Sequence, residues 1–302
     1  MGILLANLLI FHYGIWGKDE ISYYSLSNTD KGLYSFLKIV VEGSFMPIFT
    51  FLFGYSLVKL AESIKNKNGK VKRHLWRRFL LLFTLGLLHS TYLWEGDILA
   101  FYGMMGIFLL IFLNRKKKTL IIWGVVLFIL TGAAGYGVVE QSIEEEKRLS
   151  DYIEKTYDIY KSGSYEEIKD HRNNESPLFT DDELETAFLI LFMLLFAPLL
   201  TSPMFLFGMA AAKGKLFQKM EQEEKWYKLS MVLLPIGLLL KSVAILGDES
   251  NWTGIFQHLG AQFLSIAYIG TFAFLFRKFS ASKVFLGLES AGKLSLTNYI
   301  SQ

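Results

Sequence analysis

Cysteine is absent from the 302 residues, which excludes disulfides, thiol nucleophiles and thiolate metal sites and leaves the redox compartment unread. Histidine is scarce, five in all, and no two stand at His-x-x-x-His spacing. A nucleophilic-serine motif, a glycine-rich phosphate loop and a two-histidine metal motif are missing too, so no metal is expected. Charge of one sign is not in excess: 31 basic side chains face 28 acidic ones, a net charge of +3. No basic stretch precedes the first apolar run and no small-residue cleavage pattern follows it, so that run is expected to stay as a helix rather than leave as a signal peptide. No internal repeat is visible.

What the chain has is apolar surface. It is 52% hydrophobic and 16% aromatic, with a mean hydropathy of +0.33, too apolar for a soluble domain and too long for a single anchor. The expected fold class is all-α, a polytopic helical membrane protein with the lipid bilayer as its first partner. At about 20 residues per crossing, nine segments qualify, roughly 2–16, 38–60, 75–93, 97–113, 119–139, 186–212, 229–247, 253–276 and 284–302. They form one transmembrane domain over 1–302. The abrupt start at Met1 and the end at Gln302 without a flanking charge lead to the expectation that both termini are truncated. Pro47, Pro198 and Pro203 fall inside spans and are expected to kink or interrupt them.

The basic residues cluster in four loops: Lys65 to Arg73, Arg115 to Lys118, Lys213 to Lys219, and Arg277 to Lys283. Between them lie Glu95-Gly-Asp97, the segment 140–185 and Asp248-Glu249, all with an acidic excess. The alternation places the basic loops and the N-terminus in the cytoplasm. The basic runs are thus topology signals, and no nucleic acid is expected as a partner. The external insertion 140–185 shows Leu149, Tyr152, Ile153, Tyr157 and Tyr160 at helical spacing, one amphipathic helix ending near Ser162-Gly163-Ser164. Ser164 with Glu167 reads as a capping box opening a second short helix. This insertion is either a cap over the outer mouth of the bundle or a solvated linker.

One stretch organises the chemistry. Arg77 to Gly103 holds two apolar runs joined by a hinge of about four residues, with Trp94, Glu95 and Asp97 at the hinge and His89 one turn before it. Ionisable groups at such depth are expensive, so their default reading is functional. His12, Glu42, His258 and Asn298 are placed in the same outer leaflet, whereas the inner half offers only Asn7 and Lys241. Each has a plain alternative: Asp97 as an N-cap, Trp94 as part of an aromatic belt, Glu42 as a wet helix start, His12 and His258 as interfacial side chains.

The order of motifs resembles a known family. Gly2-Ile-Leu-Leu-Ala-Asn7, Phe49-Thr-Phe-Leu-Phe-Gly54, Gly86-Leu-Leu-His89 with Trp94-x-Gly-Asp97-Ile-Leu-x-x-Tyr102-Gly103, Tyr160-x-x-Gly-Ser-Tyr leading to Arg172, and Gly292-Lys-Leu-Ser-Leu-Thr297-Asn298-Tyr299 are similar to the bacterial YeiB-like membrane proteins, domain of unknown function 418. An Asp-x-x-Arg-Gly stretch ahead of the first span and further spans after the Thr-Asn-Tyr motif, usual in that family, are missing here. The family is in turn similar to a superfamily of transmembrane acyltransferases that carry an acyl group from a cytoplasmic donor such as acetyl-CoA to a sugar on the far side. The resemblance implies a bacterial cytoplasmic membrane protein, no bound cofactor, and an acceptor that is an envelope sugar or lipid.

It further implies His89 or His12 as the general base, with His12 standing in for the histidine that related enzymes carry where this chain has Asn7. Asp97 would orient the base, and Asn298 and Asn7 would offer amide donors to an oxyanion. Glu42, Trp94, Glu95, Arg172, His258 and Thr297 would contact substrate. The rival expectation is a carrier for a small solute or lipid intermediate that uses the same polar cluster as its binding site. The oligomeric state is unread.

Overall fold

The computed structural model describes residues 2–94, 96–138, 142–177 and 183–301, and among these every regular element is helical. In chain order they are α1 (Gly2–Gly17), a 3-10 turn (Ile21–Tyr23), α2 (Asn28–Val40), α3 (Phe45–Asn66), α4 (Val71–Tyr92), α5 (Leu99–Leu109), α6 (Lys117–Ala133), α7 (Ile143–Ser162) and α8 (Tyr165–Asn174). They continue with α9 (Glu183–Lys213), α10 (Met220–Met231), α11 (Leu233–Leu246), α12 (Thr253–Phe279), α13 (Lys283–Lys293) and α14 (Ser295–Ile300).

Four helical stretches among the described residues are long and apolar enough to cross a membrane: Asn28–Asn66, Phe196–Lys213, Met220–Leu246 and Thr253–Phe279. The other segments of the nine fall short for physical reasons. The helix in 97–113 is α5, whose 11 residues rise only about 16 Å, and α1 is 16 residues with a non-helical Gly14 at φ 78. The stretch 284–302 breaks into α13 and α14 at Leu294. Arg77 and Arg78 sit within α4, and α6 is 17 residues opening on two lysines. The chain is a helical membrane protein, and the outward faces of its helices agree with that. Leu81, Ile129 and Leu239 are all more than half exposed, a pattern that water penalises and hydrocarbon does not.

Packed helix pairs build the core: α3 packs on α9, α4 on α5, α6 on α9, and both α10 and α11 on α12. Small residues set the approach, as expected where dispersion rather than hydrophobic exclusion holds helices together. A Cβ at Gly54 would lie 2.1 Å from the carbonyl oxygen of Phe205, and one at Gly208 would lie 1.9 Å from that of Phe51. Around this crossing Phe53, Phe79, Tyr102 and Phe205 form an aromatic cluster with centroids 5.2–5.8 Å apart.

The prolines act differently from the expectation. Pro47 lies in the first turn of α3, where its missing N–H costs nothing, and does not interrupt the helix. Pro198 and Pro203 are carried inside a continuous α9. The Leu199 carbonyl, freed by Pro203, accepts from Ser202 Oγ at 2.9 Å, and the Leu200 carbonyl accepts from Thr131 Oγ1 of α6 at 2.8 Å. The Ser202 hydroxyl thus replaces the amide lost at Pro203, and Thr131 adds a bond across to α6.

The insertion folds as two capped helices. Ser142 with Glu145 and Ser164 with Glu167 each form a capping box, the second at the spacing read from the sequence. Residues 139–141 and 178–182, at the ends of this segment, lie outside the described residues. Ile153 is buried and Tyr152 stacks on His171 at 4.7 Å, but Tyr157, expected on the covered face, is 53% exposed.

A hydrogen-bonded knot closes the hairpin of α7 and α8. His171 meets Thr156 Oγ1 at 2.8 Å and Glu175 at 3.0 Å, and Lys155 reaches Glu175 at 2.6 Å. The hydrogen bond from Lys155 holds the Glu175 carboxyl below its ordinary 4.5, against the burial that raises it and with help from His171. A carboxyl whose folded pKa is depressed stabilises above its unfolded pKa and loses that contribution as pH falls through the folded one. Acidification from about pH 5 to pH 3 is therefore expected to lower the thermal midpoint of the detergent-solubilised protein, and Glu175→Gln to shrink that drop. An equal drop in both proteins would remove Glu175 from the account.

Candidate functional site

The hinge folds α4 and α5 antiparallel and brings His89 and Asp97 together. Gly86 and Gly103 make this possible: a Cβ on Gly86 would lie 2.0 Å from the Ala100 nitrogen and one on Gly103 would lie 2.5 Å from the Phe83 nitrogen. His89 Nδ1 stands 3.1 Å from Asp97 Oδ1, with the carboxylate side chain fully buried and the imidazole 6% exposed. The ring N–H is not aimed along that line, so the contact is a close approach rather than a formed hydrogen bond.

Asp97 is held on all sides. Oδ2 accepts from the Leu99 and Ala100 amides at 2.9 and 3.2 Å, the N-cap role the residue type offers. Oδ1 accepts from the Tyr299 hydroxyl at 3.2 Å, and that same hydroxyl accepts from the Ile98 amide at 3.0 Å. Tyr299 thus joins the far end of the chain to the hinge, and its ring lies 5.9 Å from His89 and 6.3 Å from Trp94. The two oxygens of Asp97 divide their contacts: Oδ2 caps α5, and Oδ1 faces Tyr299 and His89.

The insertion roofs this pair. Tyr165 donates to the Tyr92 carbonyl at 2.7 Å, Arg172 Nη1 to Leu93 at 2.8 Å and Asn173 to Thr91 at 3.2 Å. Three side chains from α8 thereby satisfy the carbonyls at the end of α4 that a helix leaves without partners. Below them opens a cavity of about 490 Å³ lined by His89, Trp94, Tyr160, Arg172 and Tyr299, with Ile10 and Phe11 of α1. Arg172 Nε is buried and lacks a hydrogen-bond partner among the described residues. A cap over the hinge, rather than a solvated linker, describes the insertion.

The remaining sequence candidates scatter. His12 is exposed and rests edge-on against Tyr13, outside the cavity wall. Asn298 spends its amide on the Ala291 carbonyl at 3.2 Å, and its neighbour Thr297 is exposed. Asn7 is buried on α1 with no hydrogen-bond partner for Nδ2 among the described residues and does not line the cavity. Glu95 lies outside the described residues.

Glu42 and His258 belong elsewhere, to a second cavity of about 350 Å³ lined also by Lys241 and Gln262. Glu42 is paired with Lys18 at 2.8 Å and Lys38 at 2.5 Å, and both lysines also pair with Asp19. Burial alone would raise the Asp19 carboxyl, yet Lys38 and Lys18 hold it below its ordinary 3.8. Lys241, assigned from sequence to the inner half, reaches the Glu42 carbonyl and sits with this cluster. Tyr299 and this ion network are what residue-by-residue reading missed. The only sequence signals were Tyr299's place in the Thr-Asn-Tyr motif and the charges of Lys18, Lys38 and Lys241 beside apolar runs.

Residues 211–302 match the model of a family described as Protein of unknown function (DUF418). The whole chain is 29% identical to the uncharacterized protein YxaH of Bacillus subtilis, covering 76% of that protein, and 23% identical to the uncharacterized protein YeiB of Escherichia coli, covering 79%. The chain is thus similar to the YeiB-like DUF418 proteins, by its C-terminal third to the family model and along its whole length to these relatives. An uncharacterized 39.9 kDa protein from the amylase 3' region of Bacillus acidopullulyticus is similar too, 25% identical over all of this chain and 73% of its own length. Similarity over the full chain places α1, the hinge and the α7–α8 insertion within the region that this chain shares with its relatives, beyond the part the family model matches. No solved structure matches it.

Proposed function

We propose that this protein is a transmembrane acyltransferase-like enzyme that modifies a sugar or lipid on the outer face of the bacterial cytoplasmic membrane. The observation that carries the reading is the buried His89–Asp97–Tyr299 group at the wall of a roofed cavity. With Nδ1 3.1 Å from the carboxylate, Nε2 is the nitrogen left for substrate. In the transfer, Nε2 takes the proton of an acceptor hydroxyl as its oxygen bonds to the acyl carbon of a thioester donor such as acetyl-CoA. The carbon–sulfur bond breaks and the departing thiolate takes the proton back from the imidazolium. Asp97 steadies the ring and its transient charge, and the spare Nε–H of Arg172 is suited to the carbonyl oxygen as it becomes an oxyanion.

The arrangement in the membrane follows from charge. Lys213 holds the Leu113 and Arg115 carbonyls at 2.6 and 2.5 Å, so the basic ends of α5, α6 and α9 meet on one side, opposite the α7–α8 roof. That side is assigned to the cytoplasm and the roof to the exterior. The C-terminal end of α1 points toward α7, the direction a cytoplasmic N-terminus requires. On this reading α1, α4, α5 and α6 are embedded as well, their short spans completed by neighbours. A reporter fused after Lys117 is expected in the cytoplasm and one inserted near Ser162 outside; the opposite result for either would reverse the assignment.

Mass spectrometry of envelope glycans and lipids tests the chemistry. Cells lacking the gene, and cells carrying the His89→Ala protein, are expected to lose the same acyl group from one class of acceptor. An unchanged acylation profile in both would overturn the proposal.

A further inference from the structure

The second cavity carries a charge that the protein does not balance. Around it the ion-paired cluster sets three ammonium groups, Lys18, Lys38 and Lys241, against two carboxylates, Asp19 and Glu42. Lys18 and Lys38 take both carboxylates between them. Lys241 is left with the Glu42 backbone carbonyl, and among the described residues no carboxylate is in ion-pair contact with it. It is 1% exposed, on a helix built to cross the bilayer, where an unmatched charge is costly. A backbone carbonyl supplies a dipole, not a counter-charge.

The cavity beside it is prepared for polar contact. Gln262 lines it at 7% exposure, its Oε1 without a hydrogen-bond partner among the described residues. The oxygen and nitrogen of such an amide are interchangeable by rotation, so the group can offer either a donor or an acceptor. His258, exposed, stands at the rim, and Met46, Pro47, Phe101, Leu200 and Met204 give the rest of the wall an apolar character. This is the usual composition of a ligand site: apolar walls and a few converging polar groups.

We infer that this cavity binds an anionic group, a carboxylate or phosphate ester, with Lys241 as its counter-charge and Gln262 as its hydrogen-bond partner. The excess positive charge sets the sign of the ligand charge. The apolar wall favours an anion that carries a hydrocarbon tail, and a free anion shares the same recognising chemistry. The site is distinct from the His89 cavity, with which it shares no lining residue.

Binding is measured by calorimetry on the protein purified in a neutral maltoside detergent, with four probes: laurate and lauryl phosphate as amphiphiles, acetate and inorganic phosphate as free anions. At least one is expected to bind. Lys241→Met should weaken it about tenfold to a hundredfold, the worth of a charge-assisted hydrogen bond, and Gln262→Leu should weaken it less. Binding by the amphiphiles alone assigns a lipid-borne group; binding by acetate or phosphate as well assigns a free anion. His89→Ala should bind as the parent does, so a failure of the acyl-transfer reading leaves this result intact. Should Lys241→Met not fold, Gln262→Leu and the parent titrations still decide. Absence of binding by all four probes, or unchanged affinity in the variants, overturns the inference.

Discussion

Replacing His89 with alanine is expected to lower acyl transfer by about 10²–10⁴-fold, the usual worth of a positioned general base, while the protein still inserts and accumulates. Asp97→Asn should fall nearly as far. The amide keeps an oxygen to cap the Leu99 and Ala100 nitrogens, so the start of α5 survives, but it removes the charge that faces Nδ1 at 3.1 Å. The double variant should be little worse than either single one, because each loss already disables the pair. Tyr299→Phe separates geometry from charge. It strips one donor from Asp97 and leaves the Ile98 amide unsatisfied, at a stability cost of about 1–3 kcal/mol, so its activity should fall by less and recover as temperature is lowered. Lys70→Ala, outside both cavities, should leave activity unchanged. Full activity in His89→Ala, or a loss that only mirrors missing protein in the membrane, would make the histidine structural and favour the carrier reading.

The His89–Asp97 pairing was legible because only a few residues separate the two helices, and a hinge that short leaves no geometry but antiparallel neighbours. Local signals of the same kind located the Ser164 cap and the end of α7. What resisted reading was set by distant partners. Nothing near Tyr299 says that its hydroxyl would lie against residue 97, some two hundred positions away, while Asn298 beside it turns to Ala291. Lys241 was misplaced because depth was judged by apolar context, whereas its position is fixed by Glu42 and by the break between α2 and α3. Hydropathy alone counted nine spans, of which four helices among the described residues have the length and apolarity of a full crossing, because hydropathy does not see where a helix stops. The 97–113 run stays apolar past Leu109, where α5 ends, and 284–302 hides the break at Leu294.

Leucine at Gly54 or Gly208 is expected to leave almost no folded protein. Each glycine faces main chain of the partner helix, at 2.1 and 1.9 Å from a carbonyl oxygen once a Cβ is built. A flexible side chain could swing away from such a clash, but a helix backbone cannot. The α3–α9 crossing would have to open, and with it the aromatic cluster around Phe53, Tyr102 and Phe205. Ordinary overpacking costs about 1–3 kcal/mol, and lifting two helices apart forfeits contacts along their length, against a total stability of about 5–15 kcal/mol. Even Gly54→Ala should lower the thermal midpoint measured by size-exclusion chromatography after heating. Gly32 in α2 and Gly287 in α13 are the controls, since a Cβ there meets nothing within 4 Å. Alanine at those two sites should be neutral or stabilising by about 0.5–1 kcal/mol, through the backbone freedom that glycine loses on entering a helix. Equal tolerance at all four positions would mean that α3 and α9 do not cross as closely as their glycines allow.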